Sequence, residues 1–559
     1  MLPIAQQCFS VIATIFLAAP IVHAQQKAPT LGAVTNFSQG IQPQTLGFVR
    51  SLGVQHLRDG MNWARVEKKP GFYEFSGPRR AYKDLLDEDK NKLTLVINWG
   101  NPLYDNGHTP QSKTALNALE AYTKEVIGRF PVIETLEVGN EFNGRNFVRG
   151  PLEKMAPLER SQAYLKILKA TSQGARAGRE DIRILGGATH SLPGSWLWNI
   201  MDSGGAKWMD AVAIHPYSTP AEQFTRQMAV LRWHPSLKDM PFEVTEFGTD
   251  SVKSAGNHLV KNYCQFALAG VTKAMWFPAN LRGRRTVPLF TPNGRLTSAG
   301  LAYRTVAKHM EGKVVTDISE DQFTYGCKFG NDTYVIWGAA RAFKLGDAAQ
   351  VFDLSGKPVT SPPETLDPET PIIVISDSDT PFTLGELPLI ADSYYQFSYP
   401  EKNAHKAEGD GFERFAKEGK KTIPLLTMPG QDRPNVPWVP WRGHPDHKGV
   451  RLTAETLLPS TSKDIVHVYT AEHPKDVTLT AHFKPGKKSE DGVIVRLSQN
   501  GKPLLEERAS HENPVEIQRK PISMSSGDTL EIVVAAGESQ RGDLTRYRIT
   551  LERATTQTQ

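Results

Sequence analysis

Eight short apolar runs, each followed by a longer stretch, fill the chain from about Thr30 to Gly312. They are Leu31–Phe37, Val54–Asp59, Lys92–Trp99, Ile133–Asn140, Arg183–His190, Ala211–Tyr217, Pro241–Phe247 and Thr272–Phe277. Amphipathic stretches such as Thr114–Phe130, Pro157–Ala177 and Gly256–Gly270 lie between them. Strands that read as nearly continuous apolar runs are covered on both faces, as in parallel sheets. Eight strand–helix alternations over residues 30–312 predict an α/β fold, a (β/α)8 TIM barrel. The competing architecture is an open doubly wound sheet. Its first strand would run into a Gly-rich phosphate turn. Here the first strand runs into Asn36-Phe37-Ser38-Gln39-Gly40, which carries no G-x-G-x-x-G.

Beyond the barrel the pattern changes to short strands and turns. Residues 313–377 predict a small companion β-sandwich, and the Pro/Asp-rich stretch Asp377–Pro388 reads as a linker. Residues 389–552 predict a C-terminal all-β domain, which we expect to bind carbohydrate. At 559 residues with 39% hydrophobic and 22% charged positions, the composition is that of an ordinary globular protein. It excludes a collagen, a small disulfide scaffold and a largely disordered chain. A net charge of +5 over this length gives no case for nucleic acid.

The apolar run Val11–Val22 ends in Val22-His23-Ala24. It is too short to span a bilayer, and it reads as a signal peptide, residues 1–24, cut after Ala24. No Lys or Arg precedes it, so an uncleaved N-terminal anchor is the alternative. The expected location is periplasmic or secreted, with no membrane insertion after cleavage. Cys264 and Cys327 then remain, either as one disulfide or as two buried thiols.

The fourth strand ends in Gly139-Asn140-Glu141 and the seventh in Thr245-Glu246-Phe247. In a barrel both would point into one pocket at the C-terminal strand ends. Two carboxyls across a cleft are the minimum equipment for glycoside hydrolysis. Asn140 is placed to bind a sugar 2-hydroxyl. Tyr217, in His215-Pro216-Tyr217 after strand six, and Arg58, ending strand two, are placed to keep a nucleophile ionised. Trp99 and Trp276 offer flat faces to the axial C–H patches of a sugar ring.

These motifs resemble the clan A retaining glycoside hydrolases: G-N-E on strand four, H-P-Y on strand six and T-E-F-G on strand seven. Within the clan the chain is most similar to family 39, through Leu57-Arg58-Asp59-Gly60, Trp63, Glu67 and Gly71-Phe72-Tyr73. The likeness extends to secreted bacterial enzymes that trim exopolysaccharide and covers about residues 30–377. It implies Glu141 as general acid/base and Glu246 as nucleophile, with Asn140, His215 and Tyr217 lining the sugar subsite. It implies a polysaccharide or oligosaccharide substrate, an exopolysaccharide, with no cofactor, no metal, and contact with export machinery. Loop length leaves endo- and exo-action open, and the appended C-terminal domain tilts the reading to endo-action.

Other readings stand beside these. The chain could be a non-catalytic polysaccharide-binding or export scaffold that kept the barrel. Arg58 and Asp59 could pair with each other, and Trp276 could be core. Glu67 reads as structural, whereas Glu137 and Glu243 read as barrel-interior acids or supports. His190 reads equally as a pocket residue or a loop histidine. His444 and His447 read as a turn rather than metal ligands. Trp438 and Trp441 read as packing or as a sugar platform. Asn36 and Asn331 head glycosylation sequons.

Overall fold

The computed structural model describes residues 26–40, 45–75, 91–280, 286–401 and 407–554. The expected signal peptide lies outside them.

The eight predicted runs form eight parallel strands: β1 (Thr30–Val34), β2 (His56–Gly60), β3 (Lys92–Ile97), β4 (Ile133–Val138), β5 (Arg183–His190), β6 (Ala211–His215), β7 (Phe242–Phe247) and β8 (Val271–Trp276). They close in the order 1-8-7-6-5-4-3-2, with β1 paired to both β2 and β8. The helices that cover them are α1 (Thr45–Ser51), α2 (Lys113–Arg129), α3 (Pro157–Gly178), α4 (Gly194–Asp202), α5 (Ala221–Leu231), α6 (Ala255–Leu268) and α7 (Ser298–His309). Local chemistry fixes their starts. Ser112 accepts from the Ala115 N–H to cap α2, and Thr297 accepts from Gly300 to cap α7. Proline opens α3 at a position where no N–H is needed.

The companion unit has β9 (Val315–Asp317), β10 (Thr324–Phe329), β11 (Thr333–Gly338), β12 (Phe343–Leu345), β13 (Gln350–Phe352), β14 (Ile372–Ile375) and β15 (Phe382–Leu384). Side chains alternate across a strand, and β11 uses both faces. Val335 and Trp337 join the barrel core, while Tyr334 and Ile336 build a second core on the far side. Strand β15 pairs antiparallel with β12. The companion unit therefore runs past 377, and part of the stretch read as a linker is a strand. Cys264 on α6 and Cys327 on β10 are joined in a disulfide, with Cα atoms 5.8 Å apart. Of the two sequence readings, the cross-link holds, and it ties the barrel to the companion sheet.

From Leu389 the chain forms a two-sheet β-sandwich. One sheet centres on Thr545–Arg553 paired to Lys475–Lys484; the other centres on Asp464–Thr470, Thr529–Ala536 and Val493–Gln499. Inward residues of both sheets, such as Leu479, Phe483, Val495, Ile532 and Ile549, form one core. This unit docks on the barrel at two seams. At α5, Gln223 donates to the Tyr394 carbonyl and Arg226 to that of Phe397. Near the strand ends, the Gly194 and Ser195 N–H groups donate to the carbonyls of Pro429 and Gly430.

Candidate active site

A cavity of about 830 Å³ opens at the C-terminal ends of the barrel strands, and every strand end contributes to its lining, from Val34 at the end of β1 to Phe277 after β8. At its floor sits Arg58. Its guanidinium donates twice to Glu137 (2.7 and 2.8 Å), once to Glu246 (2.5 Å) and once to the Asn140 side-chain carbonyl (2.9 Å). The second oxygen of Glu246 accepts from the Tyr217 hydroxyl at 2.9 Å. Burial opposes the Arg58 charge, but Glu137 and Glu246 outweigh it and hold the guanidinium ionised. Burial, then the Glu246 charge, pushes the Tyr217 phenol well above its ordinary value, so it stays a donor.

Across from Glu246, Glu141 faces His215, with Nδ1 of the ring 3.1 Å from its carboxylate. The other ring nitrogen lies 3.0 Å from the Thr245 hydroxyl, which itself donates to Glu137 at 3.2 Å. Glu137 is held at about pKa 2: burial pushes it up, and Arg58 and His215 more than reverse that. It can therefore only accept, so the Thr245 proton points to it and Nε2 of His215 must carry a proton. The proton that varies is on Nδ1, shared with Glu141. Burial lowers the His215 value, but the charge of Glu246 and the hydrogen bonds of Glu137 and Glu141 raise it to about 9. Burial raises the Glu141 carboxyl, and His215 brings it back below the usual carboxylate range. One carboxylate oxygen of Glu141 and one of Glu246 lie within 4.8 Å of each other and of a His215 nitrogen. Such a trio has the residue types of a metal site. The Arg58 cation on Glu246 works against a second cation there.

Local backbone explains the placement. Gly139 has φ +81°, and a side chain there would press on Tyr164 at 3.3 Å. Glu141 itself is left-handed at φ +52°, a costly state for a non-glycine residue. Its N–H donates to the Ala188 carbonyl, and the Gly144 N–H returns to its own carbonyl. On β7 both Thr245 and Glu246 reach the site because the β7–β8 ladder shifts register between Ala274 and Trp276, alongside them.

The structure brings Glu141, Glu246, Asn140, Tyr217 and Arg58 together in the cavity lining; His215, expected to line the sugar subsite, is instead fully buried behind Glu141 and does not line the cavity. Trp99 lines the cavity and is 38% exposed. Trp276 does not line it. It is 0% exposed, packs edge-on against Phe247 at 5.1 Å, and donates to the Val287 carbonyl. Alternation along β8 turns Trp276 outward, whereas Met275 and Phe277 sit inward beside Tyr217; the aromatic face at this strand end is Phe277. Asp59 does not pair with Arg58. It accepts from the Thr35 hydroxyl and from the Phe37, Ser38 and Gly60 N–H groups, fixing the turn after β1. Glu67 is structural, accepting from Trp63, Gly71 and Tyr104.

Glu137, read from the sequence as a barrel-interior acid or support, holds Arg58 and the Thr245 hydroxyl; sequence reasoning passed over Thr245, which holds His215. Their position two residues apart from inward-facing neighbours on β4 and β7 was the available signal. His190 lines the cavity. So do Asn36 and Asn98, and each keeps one buried amide atom without a partner. Asn36 is only 4% exposed, which removes it as a glycosylation acceptor. Among the described residues Glu243 lies deeper, paired with Arg183 at 2.9 Å.

The sequence matches no protein-family model and no curated protein. Solved structures resemble it. A family 39 glycoside hydrolase from the gut symbiont Bacteroides cellulosilyticus WH2 superposes with a TM-score of 0.52 at 16% identity, over 62% of this chain and 81% of that one. The fold is one that a family 39 glycoside hydrolase also has. A family 39 β-xylosidase from Caulobacter crescentus is similar more distantly, with a TM-score of 0.45 at 15% identity over 63% of this chain and 96% of that one.

Proposed function

We propose that this protein is a retaining glycoside hydrolase of the family 39 type, acting on a polysaccharide. The observation that carries the reading is the asymmetric carboxylate pair. Oxygens of Glu141 and Glu246 approach within 4.8 Å, close to the roughly 5–5.5 Å of retaining enzymes and short of the about 6.5–9.5 Å that leaves room for water in inverting ones. The two carboxyls also differ in company. Glu246 accepts from a cation on one oxygen and a phenol on the other, which fixes the orientation of a nucleophile. Glu141 faces an imidazole that brings it a proton.

In the first step a carboxylate oxygen of Glu246 bonds to the anomeric carbon as the bond to the leaving oxygen breaks. That oxygen takes the proton shared by Glu141 and His215, delivered through the Glu141 carboxyl. In the second step water gives its proton back to Glu141 and its oxygen attacks the anomeric carbon, releasing Glu246. The buried cluster holds Arg58, Glu137, Glu141 and Glu246 with one proton between His215 and Glu141. Moving that proton from ring to carboxyl changes no net charge, so the acid is armed without drawing a proton from solvent. Asn140, whose carbonyl is engaged by Arg58, keeps its amide N–H for a sugar 2-hydroxyl.

The narrower part of the proposal is endo-action on a bacterial exopolysaccharide by a protein exported to the periplasm or beyond. The sequence motifs support the substrate, and the Cys264–Cys327 disulfide fits an oxidising compartment. The test is release of new reducing ends from a panel of bacterial and plant polysaccharides, with Glu246→Gln in parallel. Activity on one polymer that vanishes in the variant supports the reading and names the substrate class. Equal activity in both removes Glu246 from the chemistry. A viscosity drop that lags behind release of single sugars contradicts endo-action.

A further inference from the structure

The segment that crosses from the C-terminal β-unit to the barrel lands beside the proposed acid. Asn143, two residues past Glu141, donates to the Gln431 side-chain carbonyl at 2.9 Å, and the Gln431 amide donates back to the Asn143 backbone carbonyl at 2.8 Å. Both side chains are buried. Asn143 in turn spans the backbone of His190, donating to its carbonyl at 3.0 Å and accepting from its N–H at 2.9 Å. This double clasp, with the Gly194 and Ser195 contacts to Pro429 and Gly430, fixes the segment against the loops after β4 and β5.

The segment delivers Trp438. Its ring meets His190, a cavity-lining residue, edge-on at 5.6 Å. Its outer edge comes so near the loop after β4 that a Cβ on Gly144 would sit 3.3 Å from it. Yet Trp438 is 37% exposed. Every other described aromatic side chain of the C-terminal unit is buried or partly so, including Trp441. Among the described residues of this unit, Trp438 is the one aromatic with an open face, and it stands against His190 of the cavity lining, just outside the lining itself. On the other flank of the same loop, Phe147 touches Trp99 at 6.0 Å, and Arg149 lies over the Trp99 ring. The loop that carries the acid therefore runs between two exposed tryptophans.

A general acid stands on the leaving-group side of the bond it cleaves. We infer that Trp438, supplied by the C-terminal β-unit, forms a stacking wall for a sugar ring on the leaving-group side of the scissile bond. The reading rests on the proposed glycosidase function. It makes the C-terminal unit part of the cleft rather than a remote sugar-binding module, and it makes Trp438 a determinant of chain length.

The test compares two substrates of the same sugar: the polysaccharide found active, and the matching glycosyl fluoride, whose leaving group is a single atom. In Trp438→Ala the ratio of kcat/KM on polymer to kcat/KM on fluoride should fall by at least about tenfold, the loss expected for a well-placed aromatic anchor. Trp438→Phe, which keeps a flat face, should recover most of the ratio. Phe72→Ala, an exposed aromatic outside the cavity lining, should leave it unchanged. An unaltered ratio in Trp438→Ala, or no recovery in Trp438→Phe, overturns the inference. Glu246→Gln, run alongside, reads the function separately: retained turnover there would sink the glycosidase mechanism without touching the ratio.

Discussion

His215 and Glu141 share one proton, and its pH dependence is a measurable property of single residues. The folded value of His215 lies near 9, above its ordinary 6.5. The stability it gains from the surrounding carboxylates is fully present below pH 6.5 and is lost as pH rises through about 9. Glu137 works in the opposite sense, since its stabilisation is present above pH 4.5 and lost as pH falls through about 2. Thermal melts from pH 6 to pH 10 should therefore show a falling Tm on the alkaline side. The alkaline limb of kcat/KM should track the same proton and move to lower pH in His215→Asn, where Glu141 must hold the proton alone. An unmoved limb would separate His215 from the acid. At this scale the sequence exposed the groups that react and the strand-end groups Arg58 and Tyr217 that hold the nucleophile, but not the partners of Glu137 or the role of Thr245. Glu141, Glu246 and Arg58 stand at strand ends where a barrel puts its chemistry. Glu137 and Thr245 act through contacts between strands distant in sequence, and no local pattern reports a partner.

At the scale of elements, all eight barrel strands were legible because most bury both faces and so read as largely apolar runs that recur at regular spacing. Which way a residue points at a strand end was less legible. Side chains alternate strictly along a strand, so a shift of one residue exchanges the core face for the cleft face. Plain alternation along β8 puts Met275 and Phe277 on the inward face and Trp276 on the other. The structure makes Trp276 a packing residue, so Trp276→Ala should cost about 3–5 kcal/mol of stability, as for other large buried aromatics. The KM of the protein that still folds should stay near that of the parent. Denaturant unfolding and steady-state kinetics measure the two, and a raised KM at full stability would restore the platform role. Phe382–Leu384 was misread for a related reason. A short edge strand amid Pro and Asp looks like a linker until its partner, Phe343–Leu345, is known.

Across the whole molecule, three β and α/β units are joined by contacts that sequence alone does not reveal. The Cys264–Cys327 disulfide closes a loop of sequence separation 63 between barrel and companion sheet. Loop closure of that length is worth about 4 kcal/mol in the chain-entropy view. Cys264→Ser together with Cys327→Ser should lower the unfolding free energy by a similar amount while leaving the cleft assembled; an unchanged midpoint would mean the packed interface already does the work. The Gln431–Asn143 clasp joins residues 288 positions apart, which is why the sequence left the C-terminal unit apart from the site. The central claim for the molecule is that Glu246 forms a covalent bond to sugar. Its most direct test is intact-mass and peptide mapping after incubation with the 2-deoxy-2-fluoro glycosyl fluoride of the sugar that the polysaccharide panel identifies. The account predicts one added fluoroglycosyl group, located on the peptide carrying Glu246 and absent from Glu246→Gln. An adduct on any other residue, or an unmodified protein that still turns over its substrate, would contradict it.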